Sequence, residues 1–422
     1  MYNKTILDNG ATLISYNMSG RGSVGLGVWV KAGSRFETKK NQGIAHFLEH
    51  LLFKGSEKYS CSQIKQSIEG IGGTLNGFTV EEFCCYFVKI PHRYLSLALD
   101  ILLDMVLNPL LLKEDIEKEK KVVMEEIKLY YDLPQNYAHQ LLDELLWPEH
   151  PLGRNILGTY ETISGITRKD LFLFKDTHYK PKSMVISACG NVEHRDLIEK
   201  VKRTLRFSQN YKQVKFKRFT DYTERFRLKI VKRDTEQTQL ALGFHGLSRQ
   251  DKRRFTLILL HIILGANMSS RLFNEVRERK ALAYDIGTQI QFFLDSGSFV
   301  IHAGIDPRKT KLAIKVILKE LERISKKPPS FLELKRAKEY YLGQLSISLE
   351  DTLEHMFWIG ESTITLNKTY TLKDIEEKVK KISAREIMLL AREIFLPQRR
   401  KLVLLGPVEE SEGQLLKYLS RL

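Results

Sequence analysis

From Thr12 to Val30 the chain alternates and is rich in Val, Leu, Ile and Gly, which predicts two strands and then a turn at Lys31-Ala32-Gly33. The next apolar stretch changes period. Gly43-Ile44-Ala45-His46-Phe47-Leu48-Glu49-His50-Leu51-Leu52-Phe53 is apolar at helical spacing, so a helix follows the strands. Ser60 or Ser62 caps a second helix running to about Ile68. Gly70-Ile71-Gly72-Gly73 breaks it, and Thr74 to Phe78 with Phe83 to Ile90 read as a strand pair. Beyond Pro91, residues 94–107 are apolar at helical spacing, Asn108-Pro109 interrupts, and Lys113 to Tyr131 forms a highly charged helix.

The pattern then repeats. Thr167-Arg168-Lys169-Asp170 starts a helix with a capping-box signature, followed by Pro181 and a strand from Met184 to Val192. Ser383-Ala384-Arg385-Glu386, Pro397 and the strand Lys401 to Val408 reproduce it, with Thr167 matching Ser383 and Gly190 matching Gly406 at one fixed offset. The same offset relates Gly27 to Gly243 and Pro91 to Pro307. Four landmarks at one spacing imply two halves of one α+β fold: residues 1–207, a linker 208–226, and residues 227–422.

Composition sets bounds on this picture. With 422 residues, 43% hydrophobic and 28% charged, the chain has ample material for two cores, and no run of about 18 apolar residues spans a membrane. No basic stretch followed by an apolar core opens the chain, so no signal peptide is read and a cytoplasmic location is expected. Cys61, Cys84, Cys85 and Cys189 form no CxxC pair, which suits reduced structural thiols. The net charge of +16 is concentrated in residues 201–233, where twelve Lys or Arg face only Asp221 and Glu224. Phe207, Tyr211, Phe216 and Phe219 interleave with them, but no nucleic-acid motif accompanies the charge, so nucleic acid is not the expected partner.

The chemistry lies in the first helix. His46 and His50 stand one turn apart on one face, with Glu49 close beside them, an order that marks catalytic metal sites. Such a site takes three protein ligands and water. The charged helix offers Glu117, Glu119, Glu125 and Glu126, and Glu119 and Glu126, two turns apart, share one face. Shifting the motif into the second half lands near Leu260-His261-Ile262-Ile263-Leu264, which has one histidine and no carboxylate. His261 therefore reads as a core or interface histidine rather than a ligand, and only the first half carries the site.

His46-Phe47-Leu48-Glu49-His50, followed on the charged helix by Glu126, resembles the inverzincin metallopeptidases of the M16 (pitrilysin) family. Within that family the likeness is to the subfamily of the mitochondrial processing peptidase and its bacterial relatives. The resemblance covers essentially the whole chain. It implies two homologous domains of the LuxS/MPP-like metallohydrolase type, each a mainly antiparallel sheet packed with helices, forming a clamshell chamber. It implies one zinc ion per chain on His46, His50 and Glu126, Glu119 as a supporting group orienting a ligand, and Glu49 as general base.

Gly72-Gly73-Thr74-Leu75-Asn76-Gly77-Phe78-Thr79 resembles the family's active-site edge strand, where the asparagine contacts substrate backbone and a small residue follows it. Ser270 to Tyr284 is similar to the stretch whose arginine and tyrosine, here Arg277 and Tyr284, reach bound peptide. The family's Gly-Leu-Ala-Tyr appears as Ala281-Leu282-Ala283-Tyr284, a departure that leaves the pair intact. Short or unfolded peptide substrates and a homodimer are the partners the resemblance implies. A metal-free core-type subunit that binds peptides or scaffolds a complex is the alternative, and zinc stoichiometry separates the two.

Overall fold

Eleven strands among the described residues form two sheets: β1 (Asn3–Ile6), β2 (Thr12–Asn17), β3 (Ser23–Val30), β4 (Thr74–Thr79), β5 (Cys84–Pro91), β6 (Met184–Gly190), β7 (Arg227–Lys232), β8 (Thr238–His245), β9 (Ala283–Phe292), β10 (Gly297–Ile305) and β11 (Lys401–Gly406). The computed structural model describes residues 2–205, 214–220, 225–409 and 411–419. Part of the basic stretch, with Phe207, Tyr211, Asp221 and Glu224, lies outside them. The helices that matter first are α1 (Ile44–Leu52), α2 (Cys61–Glu69), α3 (Leu95–Leu107), α4 (Lys113–Asp132) and α5 (Pro134–Leu146). Ser60 is the cap of α2, closing a capping box with Gln63. Thr167 with Asp170 and Ser383 with Glu386 form the two boxes expected of the repeat.

The chain divides into two compact units. The first comprises Met1–Lys128, Arg154–Lys217 and Leu345–Thr371; the second Leu129–Gly153, Arg218–Gln344 and Leu372–Leu422. The first sheet has the order β1-β2-β6-β3-β5-β4, antiparallel throughout except for the parallel pair β2/β6. The second has the order β7-β11-β8-β10-β9, with β7/β11 as its one parallel pair. The second order is the first without β1, so the sequence repeat is a repeat of topology. β3 is central and buried along nearly its full length, whereas β4 is an edge strand. An edge carries backbone N–H and C=O groups open to pairing.

Each sheet is covered by a helix from the other sequence half. Helix Thr352–Leu366 packs on β2, β3 and β6 in the first unit, and α5 packs on β8 and β11 in the second. Carried forward at the offset of the repeat, α5 falls on this same helix, so the two are equivalent and reciprocally exchanged. The approach is close enough to demand glycine. A Cβ on Gly27 would meet Met356 Sδ at 2.5 Å, one on Gly360 would meet Trp29 Nε1 at 2.2 Å, and one on Gly243 would meet Leu142 Cδ1 at 2.9 Å. Trp29 donates its indole N–H to Ser187 Oγ at 2.7 Å and packs with Ile14, Cys85, Val185, Met356 and Ile359. The compact units are therefore not contiguous in sequence, since each takes in one helix from the other half.

The described aromatics of the basic stretch are packed rather than presented. Arg35 lies over the Phe216 ring at 3.8 Å, and Phe219 is buried with Trp147, Ala241 and Val403. No helix among the described residues is long and apolar enough to cross a membrane.

Candidate active site

Helix α1 begins at Gly43, whose φ of 90° is left-handed; a Cβ there would also meet the Leu157 carbonyl oxygen at 2.7 Å. Both reasons require glycine. Gly43 has no side chain with which to cap the helix, and Glu37 supplies the acceptors instead. Its two carboxylate oxygens receive Gly43 N–H at 2.8 Å and Ala45 N–H at 2.9 Å. A carboxylate at a helix N-terminus satisfies orphan donors and complements the helix dipole. Burial pushes Glu37 up to about 8, against the pull of those two N–H groups and of Arg154. The loop before the helix is tied to the β4–β5 turn by buried Arg35, which donates to Glu82 at 2.6 Å and whose N–H reaches the Glu81 carbonyl.

On α1, His46 and Glu49 are buried and His50 is partly exposed. Helix α4 runs past them with Ile116, Glu119, Val123 and Ile127 turned inward. Glu126 reaches both imidazoles: its Oε2 lies 3.7 Å from His46 Nε2 and 3.6 Å from His50 Nε2. One ligand-type atom from each of the three lies within 4.8 Å of the others, the one such cluster among the described residues. Glu117 and Glu125 face outward, paired with Lys120 and Lys128. Glu119 is 6% exposed; its Oε2 accepts from His50 Nδ1 at 3.2 Å and its Oε1 takes Lys54 Nζ at 2.5 Å. That bond makes Nδ1 the protonated nitrogen of His50 and turns its Nε2 lone pair toward Glu126.

Two electrostatic effects prepare the cluster. Burial, and then the neighbouring His50, push His46 down to about 3, so it stands as a neutral imidazole with a free lone pair. Burial raises Glu49, opposed by a hydrogen bond from Thr79 and by His50. The donor set suits zinc. Tetrahedral zinc with bonds of about 2.0–2.1 Å sets its ligand atoms about 3.4 Å apart, close to the 3.7 and 3.6 Å that separate Glu126 from the two imidazoles. Two imidazoles and a carboxylate make three protein ligands, the number that a catalytic zinc site takes.

Asn76 lies on edge strand β4, exposed, with its Oδ1 accepting from the neighbouring Gly77 N–H at 2.8 Å. Strand alternation sets its side chain on the opposite face from Thr79, so β4 offers the cluster its edge and Thr79 rather than the Asn76 amide. A Cβ on Gly77 would approach Phe53 and Tyr86 at 3.2 Å, which explains the small residue after the asparagine.

In the second unit Arg277 and Tyr284 meet, with the guanidinium 5.0 Å from the Tyr284 ring centroid and 4.7 Å from that of Phe273. Arg277 sits in a π-helical turn, Phe273–Glu278, a distortion often found at functional positions. Both line an open groove of about 980 Å³ with Glu236, Gln237, Asp306 and Arg308. Tyr284 is 75% exposed, unusual for so large a ring. His261 is partly buried and hydrogen-bonded to Thr288 Oγ1 at 2.7 Å, and burial pushes it down to about 4.

Sequence reading missed Glu37, Arg35 and Thr79. Only Glu37 left a signal, a carboxylate shortly before a helix-starting glycine that cannot cap its own helix.

Two family profiles match: insulinase (peptidase family M16) over residues 13–160 and the peptidase M16 inactive domain over residues 165–341. An uncharacterized zinc protease of Bacillus subtilis is 34% identical, over 94% of this chain and 96% of its own. One from Streptomyces coelicolor is 32% identical over 98% of this chain and 91% of its own. Among solved structures, a protease from Helicobacter pylori superposes with a TM-score of 0.92 at 23% identity, covering 96% of this chain and 99% of that one. A peptidase M16 inactive domain structure from Pseudomonas fluorescens gives 0.90 at 18% identity, covering 98% and 99%. These structures speak to fold alone; together with the profiles and the two zinc proteases that align along nearly the whole chain, they establish that the chain belongs to peptidase family M16.

Proposed function

We propose that this chain is a zinc-dependent endopeptidase that hydrolyses short or unfolded peptides bound in an extended conformation. The observation that carries the reading is the convergence of His46 Nε2, His50 Nε2 and Glu126 Oε2, with Glu49 on the helix of the two histidines. Zinc held by these three residues supplies Lewis acidity, acidifying water to a pKa of about 7 and polarising a carbonyl.

The remaining work falls to the chain's own side chains. Glu49, its proton affinity raised by burial, takes a proton from the attacking water and returns it to the departing amine, a role worth about 10² to 10⁴ in rate. Glu119 holds His50 in the required tautomer. The open edge of β4 at Asn76 pairs with the peptide backbone, and alternate side-chain pockets give selectivity. Arg277 and exposed Tyr284 bind peptide carbonyls.

Glu49→Gln tests the reading: the variant retains stoichiometric zinc by elemental analysis and loses cleavage of an unstructured peptide. An undiminished rate refutes Glu49 as base. A chain that binds no zinc at neutral pH points instead to the metal-free peptide-binding subunit.

A further inference from the structure

We propose that Thr79 is a positioning residue for the general base, holding the Glu49 carboxylate in the orientation that proton transfer needs. The inference rests on the assignment of Glu49 above and extends it to a residue with no metal-ligand chemistry.

Thr79 is the last residue of β4, and its Oγ1 lies 2.6 Å from Glu49 Oε2. An ionised carboxylate has no proton to give, so the hydroxyl is the donor. Among the described residues no other hydrogen bond reaches the Glu49 side chain. The backbone of α1 fixes where Glu49 starts, but its terminal torsion is broad and two-fold. The Thr79 bond removes that freedom: it engages Oε2 and leaves Oε1 as the basic oxygen. Threonine is suited to the task because β-branching restricts χ1 and presets the hydroxyl.

The hydroxyl is itself held. Thr79 pairs with Cys84 across the β4–β5 ladder, and the Cys84 sulfur lies 3.4 Å from Thr79 Oγ1 and 2.9 Å from the Ala32 carbonyl oxygen. Behind the thiol, Tyr179 bonds both Cys84 and the Tyr86 hydroxyl, the latter at 2.7 Å. Cys84, Tyr86 and Tyr179 are all buried, so the chain of polar groups ending at Glu49 has little room to rearrange. It also places the base's support on the strand whose edge is proposed to pair with peptide. Thr79 exchanges no proton with substrate; it acts through Glu49.

Thr79→Val removes the hydroxyl at nearly constant volume. We expect zinc content unchanged, KM within about two-fold, and kcat lowered roughly 10- to 100-fold, below the full value of the base itself. Thr79→Ser, which keeps the donor, retains at least about a third of the wild-type kcat. If the valine variant does not fold, Thr79→Ala makes the same comparison. In a Glu49→Gln background Thr79→Val has no further effect, because its only route is through the carboxylate. Equal losses in both backgrounds, a rise in KM with kcat intact, or a serine variant as slow as valine overturns the proposal. Failure is separable from failure of the functional assignment: an inactive wild type or a fully active Glu49→Gln rejects the assignment, whereas an active wild type, a dead Glu49→Gln and an unaffected Thr79→Val reject only the role of Thr79.

Discussion

Removing Glu119 isolates how much the support behind His50 contributes to metal affinity. The carboxylate is buried and does two things at once, accepting from His50 Nδ1 at 3.2 Å and pairing with Lys54 at 2.5 Å. In Glu119→Ala, Lys54 loses its partner but is already about one-third exposed and is solvated cheaply. The cost falls on His50, whose two neutral tautomers become comparable and whose ring is freed to turn. Loss of such a supporting partner lowers metal affinity about 10- to 100-fold, or roughly 1.4–2.7 kcal/mol. Glu119→Gln keeps an acceptor but not its charge, and charge-assisted bonds are about twice as strong as neutral ones. Its expected loss is therefore about 3- to 10-fold. Lys54→Met removes the other partner of Glu119 and leaves affinity within about two-fold. The assay is zinc competition against a chromophoric chelator, with thermal unfolding of the zinc-free proteins as control. An unchanged Kd for Glu119→Ala, or equal losses for Gln, Ala and Met, refutes the reasoning.

Four further outcomes follow from other parts of the molecule. Gly360→Ala brings a methyl within 2.2 Å of Trp29 Nε1; overpacking of about 1–3 kcal/mol outweighs the roughly 1 kcal/mol gained in helix propensity, so the melting temperature falls. Ala281 has φ of 47°, costing about 1–2 kcal/mol, so Ala281→Gly raises stability by about 0.5 kcal/mol after its added unfolded-state entropy, measured as a higher urea midpoint. His139 and His261 are pushed by burial from 6.5 to about 4, with His302 lowered beside them and partly restored by Asp285. The unfolded chain therefore gains protons first: stability is full above about pH 6.5 and falls toward pH 4, and His139→Gln flattens the urea midpoint across that range. Residues 1–207 expressed alone lack the helix that covers Trp29, Ile14 and Val185, and are expected to be insoluble unless the remainder of the chain is co-expressed.

Much of this is legible in the sequence because periodicity and chemistry coincide. The first helix, its two histidines, the charged helix and both capping boxes stand where the residues placed them. The choice of Glu126 over Glu125 comes from family likeness, and the fold gives it a physical reason. Glu126 shares the inward face with Glu119, while Glu125 pairs with Lys128 outside. The rest is contact across long separations. Thr79 meets Glu49 from a different element, and a lone threonine at a strand end carries no pattern that names its partner. Glu37 lies close in sequence, but a loop carboxylate ordinarily reads as solvated. The helix exchange is invisible for a related reason: an apolar helical stripe states that one face is buried, not which of two similar sheets buries it.

Among the described residues only one half holds the cluster, and the cost of burying it gives a reason. The helix that follows β8, Arg254–Leu264, takes the place of α1 in the second half, and it carries one histidine, His261, and no carboxylate. Two imidazoles and the buried carboxylates Glu49 and Glu119 beside them are costly to bury unless each is paired or coordinates an ion. Where no chemistry requires them, apolar residues fill the helix at no such cost, and Leu257, Leu259, Leu260, Ile262 and Ile263 are buried accordingly. Gly265 has room for nothing larger, since a Cβ there would meet Thr288 at 2.6 Å. The second unit instead presents exposed Tyr284 beside the Arg277 guanidinium.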